Sequence, residues 1–238
     1  MSEKQEQRWP PIENNPEVLT DLARSLGLTQ EYAFCDVYSF DEELLAFVQR
    51  PAKALLLVAP LTEGLVKLRE AEDAAHSKDT ALNPTTTLWA KQTIRNACGT
   101  MAVLHALLNC PSTVDTSHAF TTFMESFKDQ SPDARIDAIE TSSLIRESHA
   151  HVATQGQSAV IGAEEEVTLH FIAFVKNERT GHLVELDGSR AGPIDHGALA
   201  EDEDVLSPKA VEVVKQFMKR AGEHGEDISF SLCALTPA

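Results

Sequence analysis

The sequence predicts an α+β fold: one mixed, mostly antiparallel central sheet with helices packed on both of its faces. Three observations carry this. Stretches of helical apolar spacing and stretches of strand character interleave along the 238 residues, without the regular strand–helix–strand alternation of a doubly wound fold. The run KALLLVA (53–59) is almost continuously apolar, as befits a central strand covered on both faces. Finally, the strand candidates at 167–175 and 182–186 are joined by the polar turn 177–181, which makes them antiparallel neighbours.

Taken in order, Asn15 and Pro16 read as the N-cap and first position of a helix. Leu19, Leu22 and Leu26 give its stripe, and Gly27 ends it. A short strand is expected at 32–37, a helix at about 41–48, the central strand at 53–59 and a helix at 63–76. Residues 77–88 are polar and contain Asn83-Pro84, so they read as a loop. From Cys98, the apolar positions Met101, Leu104, Leu107 and Leu108 mark a helix with one face in the core, ending near Asn109 before Pro111. Phe120, Phe123, Met124 and Phe127 line one side of a helix at 116–128 and read as core. Ser131-Pro132 opens the next helix, and another reaches about His151. Residues 153–166 lack periodicity and read as an exposed loop. Ser207-Pro208 starts the last helix, with its stripe at Val211, Val214, Phe217, Met218 and Ala221, and 228–235 closes the chain as a strand. No linker divides the sequence, so residues 1–238 are read as one domain.

The balance is acidic: 20 basic against 37 acidic residues, a net charge of −17. Such a charge repels phosphate backbones, which excludes nucleic acid as a partner class, and it steers basic protein partners toward the chain. No apolar run is long enough for a membrane helix, and the polar start does not resemble a signal peptide. The four cysteines (Cys35, Cys98, Cys110, Cys233) are widely spaced. That pattern suits reduced thiols in cytosol or nucleus better than a zinc site or a redox pair. His149 and His151 make only a weak H-x-H pattern for a metal, and no cofactor is expected.

The chemistry concentrates in KQTIRNACGT, residues 91–100. Cys98 stands at the first turn of a helix, where unpaired N–H groups favour thiolate over thiol. Gln92, six residues earlier, can offer its amide to an oxyanion beside the Cys98 N–H. An unpaired cysteine is otherwise a small buried hydrophobe, so the reading depends on a base. His105 lies about 10 Å along the same helix, too far to bond. His76, His118, His149, His151 and His224 read as surface residues, with His182 and His196 solvated. His170 differs: it stands inside LHFIAFV, and a buried imidazole needs a polar partner. Asp187, ending the next strand in VELDGS, supplies one. His170 would then take the Cys98 proton, and Asp187 would orient the ring.

The order Gln92, Cys98, His170, Asp187 resembles papain-like cysteine proteases, and the match narrows to the ubiquitin C-terminal hydrolases. RWPPIENNPEVL (8–19), CDVYSFDEELL (35–45), KQTIRNACGT (91–100), LHFIAFV (169–175) and LVELDGSRAGPIDHG (183–197) carry the resemblance. It implies a papain-like α+β fold with a knotted backbone. The implied activity is a cofactor-free thiol hydrolase that cleaves small or unfolded adducts from the carboxyl-terminal glycine of ubiquitin through a Cys98 thioester. It further implies ubiquitin contacts at Pro11, Ile12, Glu13, Asn15 and Pro16, and an active-site crossover loop including Ala153, Gly156, Gln157 and Val160. A monomer is expected. Two alternatives stay open: a hydrolase for another ubiquitin-like tail, and a non-catalytic protein that binds or stabilises ubiquitin.

Overall fold

The computed structural model describes residues 7–76, 83–157, 162–165, 167–223 and 229–238. Six strands form one sheet in the order β1-β6-β2-β3-β4-β5: β1 (Tyr32–Asp36), β2 (Ala54–Pro60), β3 (Leu169–Lys176), β4 (His182–Leu186), β5 (Ile194–Ala198) and β6 (Ser231–Pro237). Every pairing is antiparallel. The sheet is therefore not mixed, and this corrects the expectation of mixed strand directions. The central strand is β2, buried from Ala54 through Ala59 between β3 and β6, as its unbroken apolar run requires.

Eight helices surround the sheet among the described residues: α1 (Pro16–Ser25), α2 (Glu42–Leu45), α3 (Glu63–His76), α4 (Cys98–Asn109), α5 (Ala119–Lys128), α6 (Pro132–Thr141), α7 (Ser143–Val152) and α8 (Pro208–Gly222). None is long and apolar enough to cross a membrane. Two apolar cores divide them. On one face α1, α4, α5, α6 and α7 pack over Leu56, Phe171 and Ala173. On the other, α3 and α8 pack over Leu55, Leu57, Ile172 and Phe174. The alternation of neighbouring residues between the two faces follows from the strand period of two.

Local chemistry explains most boundaries. The Asn15 side chain accepts from the Glu17 and Val18 N–H groups, with Pro16 as the first helical residue. Gly27 follows with φ +90°, a left-handed stop that a side chain would resist. The helix expected at 41–48 is a single turn, α2. The final strand begins at Ser231, and Ile228, its expected start, lies outside the described residues. Two further expectations are corrected. Strand β5 was absent from the sequence reading, and His196 lies on it rather than in a loop. Helix α4 is buried on every side from Gly99 to Asn109, not on one face only, because it runs between the sheet and the α1–α7 layer.

Candidate active site

Asn96 turns the chain with φ +60°, a conformation that asparagine tolerates better than most residues. Ala97 then caps α4, and Cys98 becomes its first residue. Because α4 lies on β3, this start delivers the sulfur to the His170 end of that strand. The rest of α4 is buried, whereas Cys98 is only partly so, which leaves its sulfur approachable on a rigid support.

Strands β3 and β4 pair Ala173 with Leu186 and Phe174 with Glu185. Continued one step past β4, this register sets Asp187 on the same face as His170, as a diagonal neighbour. The His170 Nε2 indeed meets Asp187 Oδ1 at 2.6 Å, with both side chains buried. That bond occupies Nε2 and leaves Nδ1 for the sulfur. Asp187 Oδ1 also accepts from the Ser189 N–H and hydroxyl, both at 2.8 Å.

The electrostatics agree with this geometry. Burial raises the Cys98 thiol, but hydrogen bonding to His170 and the charge of that ring outweigh it and set the thiol below its ordinary value of 9.0. The N–H groups of Phe171 and Gly99 add to the same effect. Burial lowers His170, yet the Asp187 charge and hydrogen bond, followed by Cys98, lift it to about 9. Burial raises Asp187, while His170 and then Arg69 hold it well below the usual carboxylate range. The three groups favour a thiolate–imidazolium pair backed by a carboxylate.

Gln92 sits beside them. Its backbone N–H donates to the Gly188 carbonyl at 2.9 Å, and its side-chain Nε2 donates to the Ile94 carbonyl at 3.0 Å. The second Nε2 hydrogen stays available for an oxyanion. A Cβ on Gly188 would fall 2.8 Å from the Gln92 Cβ, so glycine is what allows the segment bearing the acid to approach the segment bearing the amide. Three more bonds join them: Trp89 Nε1 to the Asp187 carbonyl at 3.0 Å, and Lys91 Nζ to the Ser189 and Arg190 carbonyls at 2.7 and 2.9 Å. Trp89, Gly188, Ser189 and Arg69 went unassigned in the sequence. The first three lie within three residues of Gln92 or Asp187, and that proximity was their only signal.

Two of the histidines set aside are buried, and His224 lies outside the described residues. His105 is buried, and its Nε2 accepts from the Ala90 N–H at 3.3 Å, which steadies the approach to Gln92. His149 is not a surface residue: it is buried under Trp9, with Nδ1 2.8 Å from the Thr100 hydroxyl. Its neighbours in sequence gave no sign of the Trp9 ring that covers it.

The N-terminal strip is mostly used internally. Ile12 is buried, its side chain filling the space over Gly99, where a Cβ would come within 2.5 Å of Cγ1. Asn15 is occupied as the α1 cap and Pro16 opens that helix, while Pro11 and Glu13 are partly exposed. Ile12 is thus part of the core, because Gly99 follows Cys98 and leaves a hollow that an aliphatic side chain fills. In the loop after α7, Ala153 is buried against the core. Gly156 has φ +116° and packs on the Glu13 carboxylate, which accepts the Gln157 N–H at 2.9 Å. On the far side Asn96 Nδ2 donates to the Ala163 and Glu165 carbonyls at 3.1 and 3.3 Å. Both described stems are therefore fastened near Cys98. Val160 lies outside the described residues.

The family model described as "Ubiquitin carboxyl-terminal hydrolase, family 1" matches residues 9–219. A ubiquitin carboxyl-terminal hydrolase of Aplysia californica is 38% identical over 220 residues, covering 92% of this chain and 98% of the relative. The human isozyme L1 is 36% identical over 230 residues, covering 96% and 98%. Among solved structures, the Trichinella spiralis UCH37 catalytic domain bound to ubiquitin vinyl methyl ester superposes with a TM-score of 0.73 at 24% identity, covering 98% of this chain and 97% of that one. The structural likeness shows the shared fold, and the sequence matches, spanning nearly the full length on both sides, show descent. The chain belongs to family 1 of the ubiquitin carboxyl-terminal hydrolases.

Proposed function

We propose that this chain is a deubiquitinating thiol hydrolase that releases small or unfolded adducts from the carboxyl-terminal glycine of ubiquitin. The observation that carries the reading is the buried Asp187–His170 hydrogen bond at 2.6 Å, with His170 near enough to lower the partly buried Cys98 thiol, so that all three groups shift toward their charged forms.

The reaction follows from those charges. The Cys98 thiolate attacks the glycine carbonyl carbon, and the carbonyl electron pair moves onto oxygen. The Gln92 amide and the Cys98 N–H receive that oxyanion. Collapse of the intermediate breaks the bond to the leaving group, which takes its proton from the His170 imidazolium and leaves a thioester. The neutral imidazole then draws a proton from water, the resulting hydroxide attacks the thioester, and Cys98 departs as thiolate while His170 is again an imidazolium. Asp187 stabilises that charge in both halves. A loop with both described stems fastened beside the nucleophile supports selection for leaving groups of small cross-section.

Cys98→Ala is expected to abolish release from a fluorogenic ubiquitin C-terminal amide while ubiquitin still binds. Undiminished turnover in that variant would refute the assignment. A wild-type chain that binds ubiquitin without turnover would point to the non-catalytic alternative.

A further inference from the structure

The two oxygens of Asp187 have different company. Oδ1 carries His170 and both Ser189 donors. Oδ2 faces Arg69 of α3, whose Nη1 lies 3.0 Å away, with both side chains almost wholly buried. No N–H is aimed at that oxygen: neither Oδ2 nor any guanidinium nitrogen of Arg69 has a hydrogen-bond partner among the described residues. The pair meets as charges. The Phe217 ring of α8 lies 5.5 Å from the guanidinium carbon, so this cation rests between an aromatic face and one carboxylate.

The placement is held from a second point. Arg69, Glu72 and Asp73 share one face of α3, being three and four residues apart. Glu72 and Asp73 take Arg190 at 2.9 and 2.7 Å, and Asp73 also accepts the Ala191 N–H at 2.8 Å. One helix face thus grips the turn after β4 at its start, through Asp187, and at its end, through Arg190. A buried guanidinium is costly to desolvate, and a buried position beside Phe217 would be filled more simply by an apolar side chain.

We infer that Arg69 is a positioning residue for the hydrolysis: its charge fixes Oδ2 of Asp187, so that Oδ1 stays on His170 and the ring keeps its other nitrogen toward Cys98. This rests on the proposed roles of Cys98, His170 and Asp187. Without Arg69 the carboxylate loses the partner of one oxygen and the restraint on its rotation, and His170 loses its fixed orientation. A different electrostatic role would leave a different trace. Arg69 also draws on the negative charge that stabilises the imidazolium, so if Asp187 stayed in place, removing Arg69 would raise the His170 pKa. If Asp187 moves away, that pKa falls.

The test compares full-length wild type, Arg69→Met and Arg69→Lys with a fluorogenic ubiquitin amide across pH, alongside iodoacetamide alkylation of Cys98. Arg69→Met is expected to lower kcat about tenfold, by analogy with the groups that orient metal-ligating side chains, whose loss costs about 10–100-fold. KM should barely move, and the alkaline limb of kcat should shift to lower pH. Arg69→Lys should restore most of kcat, because charge and not a directed hydrogen bond is what the site uses. Unchanged kcat with only a lower melting temperature would overturn the proposal, as would an alkaline limb moving upward or a lysine that does not rescue. If Arg69→Met does not fold, Arg69→Gln carries the same comparison. Wild-type turnover separates the two levels: an inactive wild type refutes the hydrolase reading and this role with it, whereas an active wild type with an unaffected methionine variant refutes the role of Arg69 alone.

Discussion

Gly188→Ala offers a way to disturb Gln92, the proposed oxyanion donor, while leaving Cys98, the proposed nucleophile, alone. Gly188 needs no special backbone angle, so alanine is allowed conformationally and the effect is purely steric. Its Cβ would stand 2.8 Å from the Gln92 Cβ and 3.2 Å from the Gln92 nitrogen, where ordinary contact begins at 3.4 Å. These are not the ends of a flexible side chain, and the Gln92 N–H to Gly188 carbonyl bond at 2.9 Å resists simple separation. The backbone must part by about 0.6–1 Å, and a misplacement on that scale can cost about 10²-fold in rate, or roughly 2.7 kcal/mol in barrier.

The side that yields should be the coil carrying Gln92. Asp187 is anchored at the end of β4 and held by His170, Ser189 and Arg69. Gly188→Ala should therefore lower kcat with a ubiquitin C-terminal amide by about 10²-fold, while the rate of Cys98 alkylation by iodoacetamide at neutral pH stays within about twofold of wild type. Full hydrolytic activity would show that Gln92 holds no oxyanion, or that its placement tolerates the shift. A parallel fall in alkylation would show that the distortion had reached Asp187 and His170, and the proposed separation of the two functions would be wrong.

Two further outcomes are expected. Because His170 is lifted to about 9 from an ordinary 6.5, hydrolysis should persist through neutral pH and decline as the pH passes about 9. The same shift stabilises the fold, fully below pH 6.5 and progressively less as the pH climbs through 9; a bell whose alkaline limb lies near 6.5 would contradict the ion pair. Ile12→Ala should read as a core cavity, lowering stability in a denaturant titration by about 2–4 kcal/mol, since Ile12 fills the hollow over Gly99. A large loss of ubiquitin affinity at unchanged stability would restore Ile12 to the binding surface.

What the sequence disclosed and what it withheld follow a physical division. Cys98, His170 and Asp187 stood out as candidates because each is an unusual residue for its local setting: a thiol opening an apolar helix, an imidazole inside an apolar strand, an acid where a strand ends; Gln92 was a candidate only through its place six residues before Cys98. Strand β2 was legible because both of its faces are covered. Helix α4 misled because its polar residues resemble a solvent face. In the fold Thr100 meets His149 at 2.8 Å, His105 accepts the Ala90 N–H at 3.3 Å and Asn109 donates to the Leu88 carbonyl at 2.7 Å. All three partners lie in other segments, so periodicity alone cannot separate a polar residue facing water from one satisfied by a distant chain. Strand β5 was silent for a related reason. It is an edge strand, with a register irregularity between His182 and Val184 and without a fully buried residue, so it carries no apolar alternation.

Arg69 marks the limit most clearly. In LVKLREAE it looks like a solvated charge on an ordinary helix, and only the meeting of α3 with the turn after β4 gives it a counter-charge. The arrangement explains how the supports differ across the site. The sulfur and the imidazole ride on α4 and β3, elements locked by burial on both sides, so their alignment is bound to the stability of the fold. Asp187 and Gln92 sit on irregular chain, which apolar packing fixes poorly. Their placement depends instead on polar contacts between segments: Gly188 to Gln92, Trp89 to Asp187, and the α3 face to Asp187 and Arg190. Conservative changes at those contacts should therefore alter rate before they alter stability, whereas changes beneath Cys98 or His170 should do the reverse.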